Sequence, residues 1–444
     1  MRPELPPGPF LAVGLARSGV AAALALRAAG AAVTGCDAGV VGAEARAALT
    51  AAGVPVHAHA DGVALLDGVE TLVKSPGVPQ VAPVVEAARA AGVRVIGELE
   101  VGWRLLPNDV VAITGSNGKT TTTELVGAIH RAAGLPVAVA GNVGTALSSL
   151  AGTLSPETVV VCECSSFQLE DTEAFAPDAA VLLNLAPDHL DRHGSFEAYR
   201  AAKLLLFARQ DATAVAVLPV GLEAGGAAQR VRFASPAGAP AAAVAPPDVE
   251  VRNGSLCWRG TSIMPLSELR LRGAHNVENA MAAAAVTLAR GIHPEAVRTA
   301  LRSFAGVAHR LEEVATLAGV LYVDDSKATN VASAVVGLGS FDGGVHAILG
   351  GRGKGENYAP LAAAVAERCR AVYLIGEEAG PLRHALAGTG VPLRDCDTLD
   401  RAVAGARTAA AAGEVVLLSP ACASYDQYRS FEERGDHFRA LLAG

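Results

Sequence analysis

Five lysines stand in a chain that otherwise carries its positive charge on arginine. Of 36 basic residues, Lys74, Lys119, Lys203, Lys327 and Lys354 are Lys and the other 31 are Arg. A primary amine can lose its proton or react with CO₂, and a guanidinium does neither, so each lysine is a lead to chemistry. Lys119 has the clearest context. It lies in VVAITGSNGKTTTTE, Val110 to Glu124, where an apolar run, a glycine turn and a helical pattern follow one another. Such a turn aims free backbone N–H groups and the positive end of the helix dipole at one point, which suits a phosphate. Gly115, Ser116, Asn117 and Gly118 would form the cradle, Lys119 would reach the terminal phosphates, and the Thr120 hydroxyl would serve Mg²⁺. The match is to the short GxxGKT form, because Ile113 stands where the longer pattern has Gly. A plain turn is the alternative, and the strand–turn–helix setting favours nucleotide.

Other candidates follow along the chain. Glu163 closes the apolar strand Val159 to Cys164, on the face opposite Cys162 and Cys164, and a carboxylate beside a phosphate loop is a natural Mg²⁺ ligand. GNVG, Gly141 to Gly144, is a second glycine turn able to meet phosphates. His189 follows a core strand in the loop NLAPDHLDRHGS. Lys203 precedes LLLF on the helix expected over Ser195 to Ala208, where burial would favour the neutral amine; a snorkelling side chain is the bland reading. Asn276 and Asn279 open a long apolar helix, as helix caps or as amides for a base. Near the N-terminus GLARSG and Asp37, about 20 residues further on, resemble a dinucleotide fingerprint, but Ala16 replaces its middle glycine.

The elements needed to hold these residues imply a three-domain α/β chain. The fold expected is an N-terminal Rossmann-like domain, a central P-loop-type mononucleotide-binding α/β domain with a small β region or flap after Asp211, and a C-terminal Rossmann-like domain. Boundaries are expected near Gly97, with GELE leading into a linker, and near Gly306, giving domains 1–97, 98–306 and 307–444. At 444 residues, 51% hydrophobic and 4% aromatic, the cores must be built from Ala, Val and Leu. A net charge of −8 and pI of about 5.8 give no footprint for nucleic acid. No signal peptide or membrane span is expected. Seven Cys without a CxxC pair read as buried thiols in a reducing cytoplasm. In the last third, strands at Val320 to Val323, Val345 to Leu349, Ala371 to Ile375 and Val415 to Leu418 end in polar loops, so Asp325, Lys327, Thr329, Lys354 and Ser424 are expected on one rim.

GSNGKTT, GNVG, ECSSFQLE, DHLDR, YRAAK, HNVEN, AHR, DDSKATN, GGRGKG and SPACASYDQYRSFEERG occur in one order across nearly the whole chain. In this the chain resembles the Mur ligase family, the cytoplasmic amino-acid ligases of peptidoglycan synthesis, and most of all its D-glutamate-adding branch. Four of the five lysines, Lys119, Lys203, Lys327 and Lys354, fall within these motifs. Tyr425 and Arg352 stand where that branch usually has Leu and Asp, which bears on the shape of the amino-acid pocket.

The resemblance implies ligation of D-glutamate to UDP-N-acetylmuramoyl-L-alanine through an acyl phosphate, with ATP and two Mg²⁺ ions. It implies UDP-sugar contacts from Arg17, Ser18, Asp37, Ser75, Gly77 and Asn142. ATP contacts fall to the phosphate loop through Thr121, with Asn142, Asn276, Asn279, Arg310 and Asp325. Thr120, Glu163, His189 and a carbamate on Lys203 would hold the metals, and Thr329, Lys354, Ser424 and Phe431 the D-glutamate. Lys119, Glu163, His189, Lys203 and Arg310 would carry catalysis, in a monomeric cytoplasmic enzyme without nucleic-acid or membrane partners. A nicotinamide dehydrogenase using Gly14 to Asp37, a non-catalytic nucleotide switch using Gly115 to Thr120, and a sibling ligase with another amino acid are the alternatives.

Overall fold

Short apolar runs rich in Val, Ala and Leu bury themselves as parallel strands, and the amphipathic stretches between them cover the faces. The computed structural model describes residues 2–234, 246–353 and 355–443. Among these the strands form sheets of five, nine and six. By contacts the chain divides into two compact units, residues up to Leu269 with Glu278–Ser303, and Arg270–Val277 with Phe304 onward. The first unit holds two sheets and the second holds one.

The N-terminal sheet has β1 (Phe10–Val13), β2 (Val33–Asp37), β3 (Val56–Ala58), β4 (Thr71–Lys74) and β5 (Arg94–Gly97), all parallel, in the order β3-β2-β1-β4-β5. The order reverses between β1 and β4, and a crevice opens there at the carboxyl ends, the place where such sheets take ligands. The second sheet is centred on β6 (Val110–Thr114), flanked by β8 (Val159–Glu163) and β9 (Ala179–Leu182), with β7 (Val137–Gly141) outside β8 and β10 (Val215–Pro219) outside β9. Register sets Ile113 beside Glu163 and Thr114 beside Leu182, so the phosphate loop, Glu163 and the segment carrying His189 leave one edge.

Two expectations change. The supposed linker after Gly97 is a buried helix, Glu98–Leu105. Leu99 and Trp103 enter the central core while Val101 and Leu105 pack with the N-terminal one, so one helix serves both cores. Its acids are buried because they are used: Glu98 accepts from the Ser148 N–H and hydroxyl at 2.7 Å, and Glu100 accepts three backbone N–H groups, from Glu173, Ala174 and Phe175, at 3.0 Å. The small β region is no detached flap. The strands β11 (Gln229–Phe233), β12 (Val249–Arg252), β13 (Ser255–Trp258) and β14 (Thr261–Pro265) continue the central sheet beyond β10, the last two by antiparallel pairing. Part of the Ala/Pro/Gly-rich SPAGAPAAAVAPPD stretch lies outside the described residues.

The third sheet runs β15-β16-β20-β17-β18-β19, with β15 (Glu312–Leu317) antiparallel and the rest parallel: β16 (Val320–Asp324), β17 (Val345–Gly350), β18 (Cys369–Ile375), β19 (Leu393–Asp397) and β20 (Val415–Leu418). The four expected strands are there; β15 and β19 lie at its edges, where a half-polar sequence hides the pattern. All seven Cys are free thiols and six are buried.

Candidate active site

The phosphate loop is held from outside. All five residues of β6 are buried, and the helix Lys119–Ala132 starts behind Gly118, whose φ of 83° is left-handed. A Cβ on Gly118 would run into the Asn279 amide, which fixes Asn279 against the loop. Asn117 N–H donates to Asn184 Oδ1 at 2.9 Å, and the Ser116 hydroxyl meets the Tyr199 hydroxyl at 2.9 Å. The Thr120 side chain is buried at the start of the helix, and the buried Thr121 hydroxyl has no hydrogen-bond partner.

Both central amines turn to one oxygen. Lys119 Nζ and Lys203 Nζ each donate to the Gly115 carbonyl at 2.9 Å. Lys203 is 2% exposed, and burial first, the Lys119 charge second, bring its pKa down to about 7. Glu163 and Asp188 lie close enough to oppose that shift. Glu163 accepts from Asn142 Nδ2 at 2.9 Å through Oε1, while its buried Oε2 has no partner. An orphaned carboxylate oxygen beside a phosphate loop fits a divalent cation. Gly141, at φ 113°, lets the turn pass so close to Glu163 that any Cβ would collide with its backbone. His189 is also left-handed, at φ 51°, with its ring edge-on to Phe167 and its side chain 51% exposed. In this unit Lys119, Glu163, Lys203, Asn142 and Asn279 converge.

At the β1/β4 switch a cavity of about 610 Å³ is lined by Arg17, Ser18, Asp37, Ser75, Gly77 and Asn142, among others. Asp37 accepts the Leu15 N–H at 2.6 Å and the Gly39 N–H at 2.8 Å, so its carboxylate already occupies a turn amide that a pyrophosphate would need. Arg17 donates to the Asn142 carbonyl at 3.0 Å, tying this cavity to the Glu163 turn.

In the other unit Asp325 is fully buried and accepts from the Ser419 hydroxyl at 2.7 Å; burial lifts its pKa to about 7 against the pull of Ser419 and Arg310. The buried Arg310 Nε has no partner. A cavity of about 330 Å³ gathers Arg270, Arg272, Arg310 and Asn276 together with Glu312 and Glu313, and Arg272 is paired with Glu313. Burial, then Arg310, pushes His275 down to about 4. Lys327 Nζ stands 5.5 Å from the Phe431 ring. Thr329 is half-buried and Ser424 buried. Lys354 lies outside the described residues.

Residues 113–287 match the model of the Mur ligase middle domain and residues 309–422 that of the Mur ligase, glutamate ligase domain. The UDP-N-acetylmuramoylalanine--D-glutamate ligase of Acidobacterium capsulatum is 43% identical, over 99% of this chain and 97% of that one. The chain belongs to the UDP-N-acetylmuramoylalanine--D-glutamate ligase family. That of Koribacter versatilis is 42% identical over 97% of this chain and 96% of its own. Among solved structures, UDP-N-acetylmuramate-alanine ligase MurC from Thermotoga maritima shares the fold at a TM-score of 0.59, with 18% identity over 98% of this chain and 99% of that one.

Several residues of this ligase went unassigned in the sequence. Asn184, Tyr199 and Asp188 lie inside NLAPDHLDR and YRAAK, yet only the folded loop shows them bracing or facing the lysines. Arg434, 1% exposed, donates to Ser326 O at 2.9 Å and to Cys422 O at 3.2 Å, clasping the loops that follow β16 and β20. Its pKa is brought down to about 10 by burial. No periodicity announces a buried Arg on the polar helix Phe431–Ala443; an Arg beside Gly435 was the available signal.

Proposed function

We infer that the protein joins D-glutamate to UDP-N-acetylmuramoyl-L-alanine with conversion of ATP to ADP and phosphate, in cytoplasmic peptidoglycan precursor synthesis. The observation that carries this reading is the pair of amines on the Gly115 carbonyl beside the orphaned Glu163 oxygen, in a chain of this family. A carboxylate is a poor electrophile, so the alanyl carboxylate first takes the γ-phosphoryl of ATP. Two anions must meet, and fixed cations make that approach possible. Lys119, Asn142 and Arg310 hold the transferring group. Mg²⁺, when bound, supplies further charge neutralisation, and Thr120, Glu163 and His189 would hold it, with Lys203 as a carbamate. The neutral Lys203 amine adds CO₂ and releases one proton, a reaction supported by its pKa of about 7. The amine of D-glutamate then attacks the acyl phosphate, and phosphate leaves.

The roles divide as 1–97 for the UDP-sugar, 98–306 for ATP and 307–444 for the amino acid. Arg17, Ser18, Asp37, Ser75 and Gly77 take the sugar nucleotide. Asn276, Asn279 and Asp325 serve ATP. Thr329, Lys354, Ser424 and Phe431 receive D-glutamate. The enzyme acts as a monomer. A cytoplasmic place accords with the ATP requirement and with seven free thiols; no helix among the described residues is long and apolar enough to cross a membrane. The test is phosphate release from ATP with UDP-N-acetylmuramoyl-L-alanine, compared for D-Glu, L-Glu and no amino acid. Release with D-Glu alone is expected, and equal rates with both enantiomers would remove the named substrate.

A further inference from the structure

Two of the five lysines, Lys74 and Lys327, take part in none of these steps, and of the two only Lys74 is buried. Lys74 ends β4, in register with Val13 of β1 and Gly97 of β5, at the switch point of the N-terminal sheet. Its side chain is fully buried, donates to the Val78 carbonyl at 2.9 Å and pairs with Asp171 Oδ2 at 2.8 Å. Asp171 belongs to the segment after β8 and the helix Ser166–Leu169, and three points of the N-terminal sheet and its loops grip it. Gln80 Nε2 donates to its Oδ1 at 2.8 Å, the Gly97 N–H donates to its carbonyl at 2.8 Å, and a Cβ on Gly97 would stand only 3.0 Å from its Cβ. Arg192, three residues after His189, donates to the same Val78 carbonyl at 3.1 Å.

The segment so fastened is Ser75–Gln80, and Ser75, Pro76, Gly77, Val78 and Pro79 all line the cavity of about 610 Å³. A buried ion pair is a poor way to gain stability, because two apolar side chains of similar volume do as well or better at lower desolvation cost. What it adds is direction: the ammonium has two fixed acceptors and the carboxylate two fixed donors. A guanidinium, planar and with five donors, cannot replace the ammonium in a site this closed.

We propose that Lys74 is a positioning residue for the sugar-nucleotide cavity: its pair with Asp171 sets the Ser75–Gln80 loop and thereby aims the bound carboxylate at Lys119 and Glu163. This rests on the reading of that cavity as the sugar-nucleotide site. Lys74 touches no reacting atom.

The test replaces the pair by apolar groups, K74M/D171L, and measures UDP-N-acetylmuramoyl-L-alanine binding by calorimetry, KM for ATP, thermal midpoint and amide exchange. The expected result is a parent-like midpoint, Kd for the sugar nucleotide raised about tenfold, KM for ATP within about twofold of the parent, and faster exchange confined to residues 75–80. Affinity within about twofold of the parent would make the pair purely structural and overturn the proposal. Should that variant not fold, Gln80→Ala removes the loop's own bond to Asp171 together with the bond Gln80 Oε1 accepts from Arg89, and Arg89→Ala removes the Arg89 contact alone as its control; a Kd raised about threefold in Gln80→Ala but not in Arg89→Ala supports the proposal and an unchanged one overturns it. If the parent itself fails to bind the sugar nucleotide, the reading of the cavity falls and the proposal with it. Parent binding with indifferent variants removes Lys74 alone.

Discussion

Two strand–turn–helix loops in one unit share a backbone plan and differ in what reaches into them. After β1, Gly14 turns the chain into the helix Arg17–Ala28, and after β6, Gly115 and Gly118 turn it into Lys119–Ala132. Into the first comes a carboxylate, Asp37, which takes the Leu15 N–H. Around the second gather two amines on one carbonyl and a carboxylate with an unpaired oxygen. Local geometry makes either loop attractive to phosphate, and side chains from distant segments decide the outcome. On the proposed reading the first is the wall of a recognition cavity and the second a centre for phosphoryl transfer.

The strongest way to break that contrast is Lys119→Ala, expected to lower kcat for phosphate release by about 10²–10³-fold, as loss of a charge-stabilising donor does. A comparable loss from Arg17→Ala would erase the distinction. Next in size, Lys203→Ala is expected to lose roughly 10²-fold and to recover in part with added short-chain carboxylic acids, whereas Lys203→Arg stays inactive. Its neutral fraction rises as pH passes upward through about 7, so the ¹³C signal of a carbamate formed from labelled bicarbonate should grow over that interval. A signal of equal size in Lys203→Arg would exclude the modification. Gly141→Ala forces a Cβ onto the Glu163 backbone at a positive φ, and a stability loss of about 2 kcal/mol with weakened Mn²⁺ binding is expected in calorimetry. The smallest effect is that of Asp37→Ala, about tenfold in KM for the sugar nucleotide, or ~1.4 kcal/mol, with kcat little changed. A kcat loss larger than the KM change would sharpen the comparison the other way, by giving the recognition loop a part in the chemistry.

Much of this was legible in the residues, and the exceptions have physical causes. Buried parallel strands announce themselves as apolar runs, so β6, β8, β16 and β20 were readable within a residue or two. Edge strands such as β15 and β19 are half polar and were not. Glu98–Leu105 looked like a linker because it carries two carboxylates, and only the fold shows that Ser148 and the Glu173–Phe175 amides wait for them. The rarity of Lys pointed to the site, but which carbonyl unites Lys119 with Lys203, and which acid holds Lys74, depends on contacts across more than eighty positions of sequence.

The shared Gly115 oxygen has a consequence for order of assembly. The positive charge on Lys119, after burial, is part of what lowers the pKa of the neighbouring Lys203 amine. On the proposed reading a triphosphate neutralises Lys119; that help then disappears, the Lys203 amine regains its proton more readily, and its reaction with dissolved CO₂ slows. On that reading the enzyme is primed before it is loaded, and protein purified without bicarbonate and then given nucleotide should show a lag that the reverse sequence of additions does not.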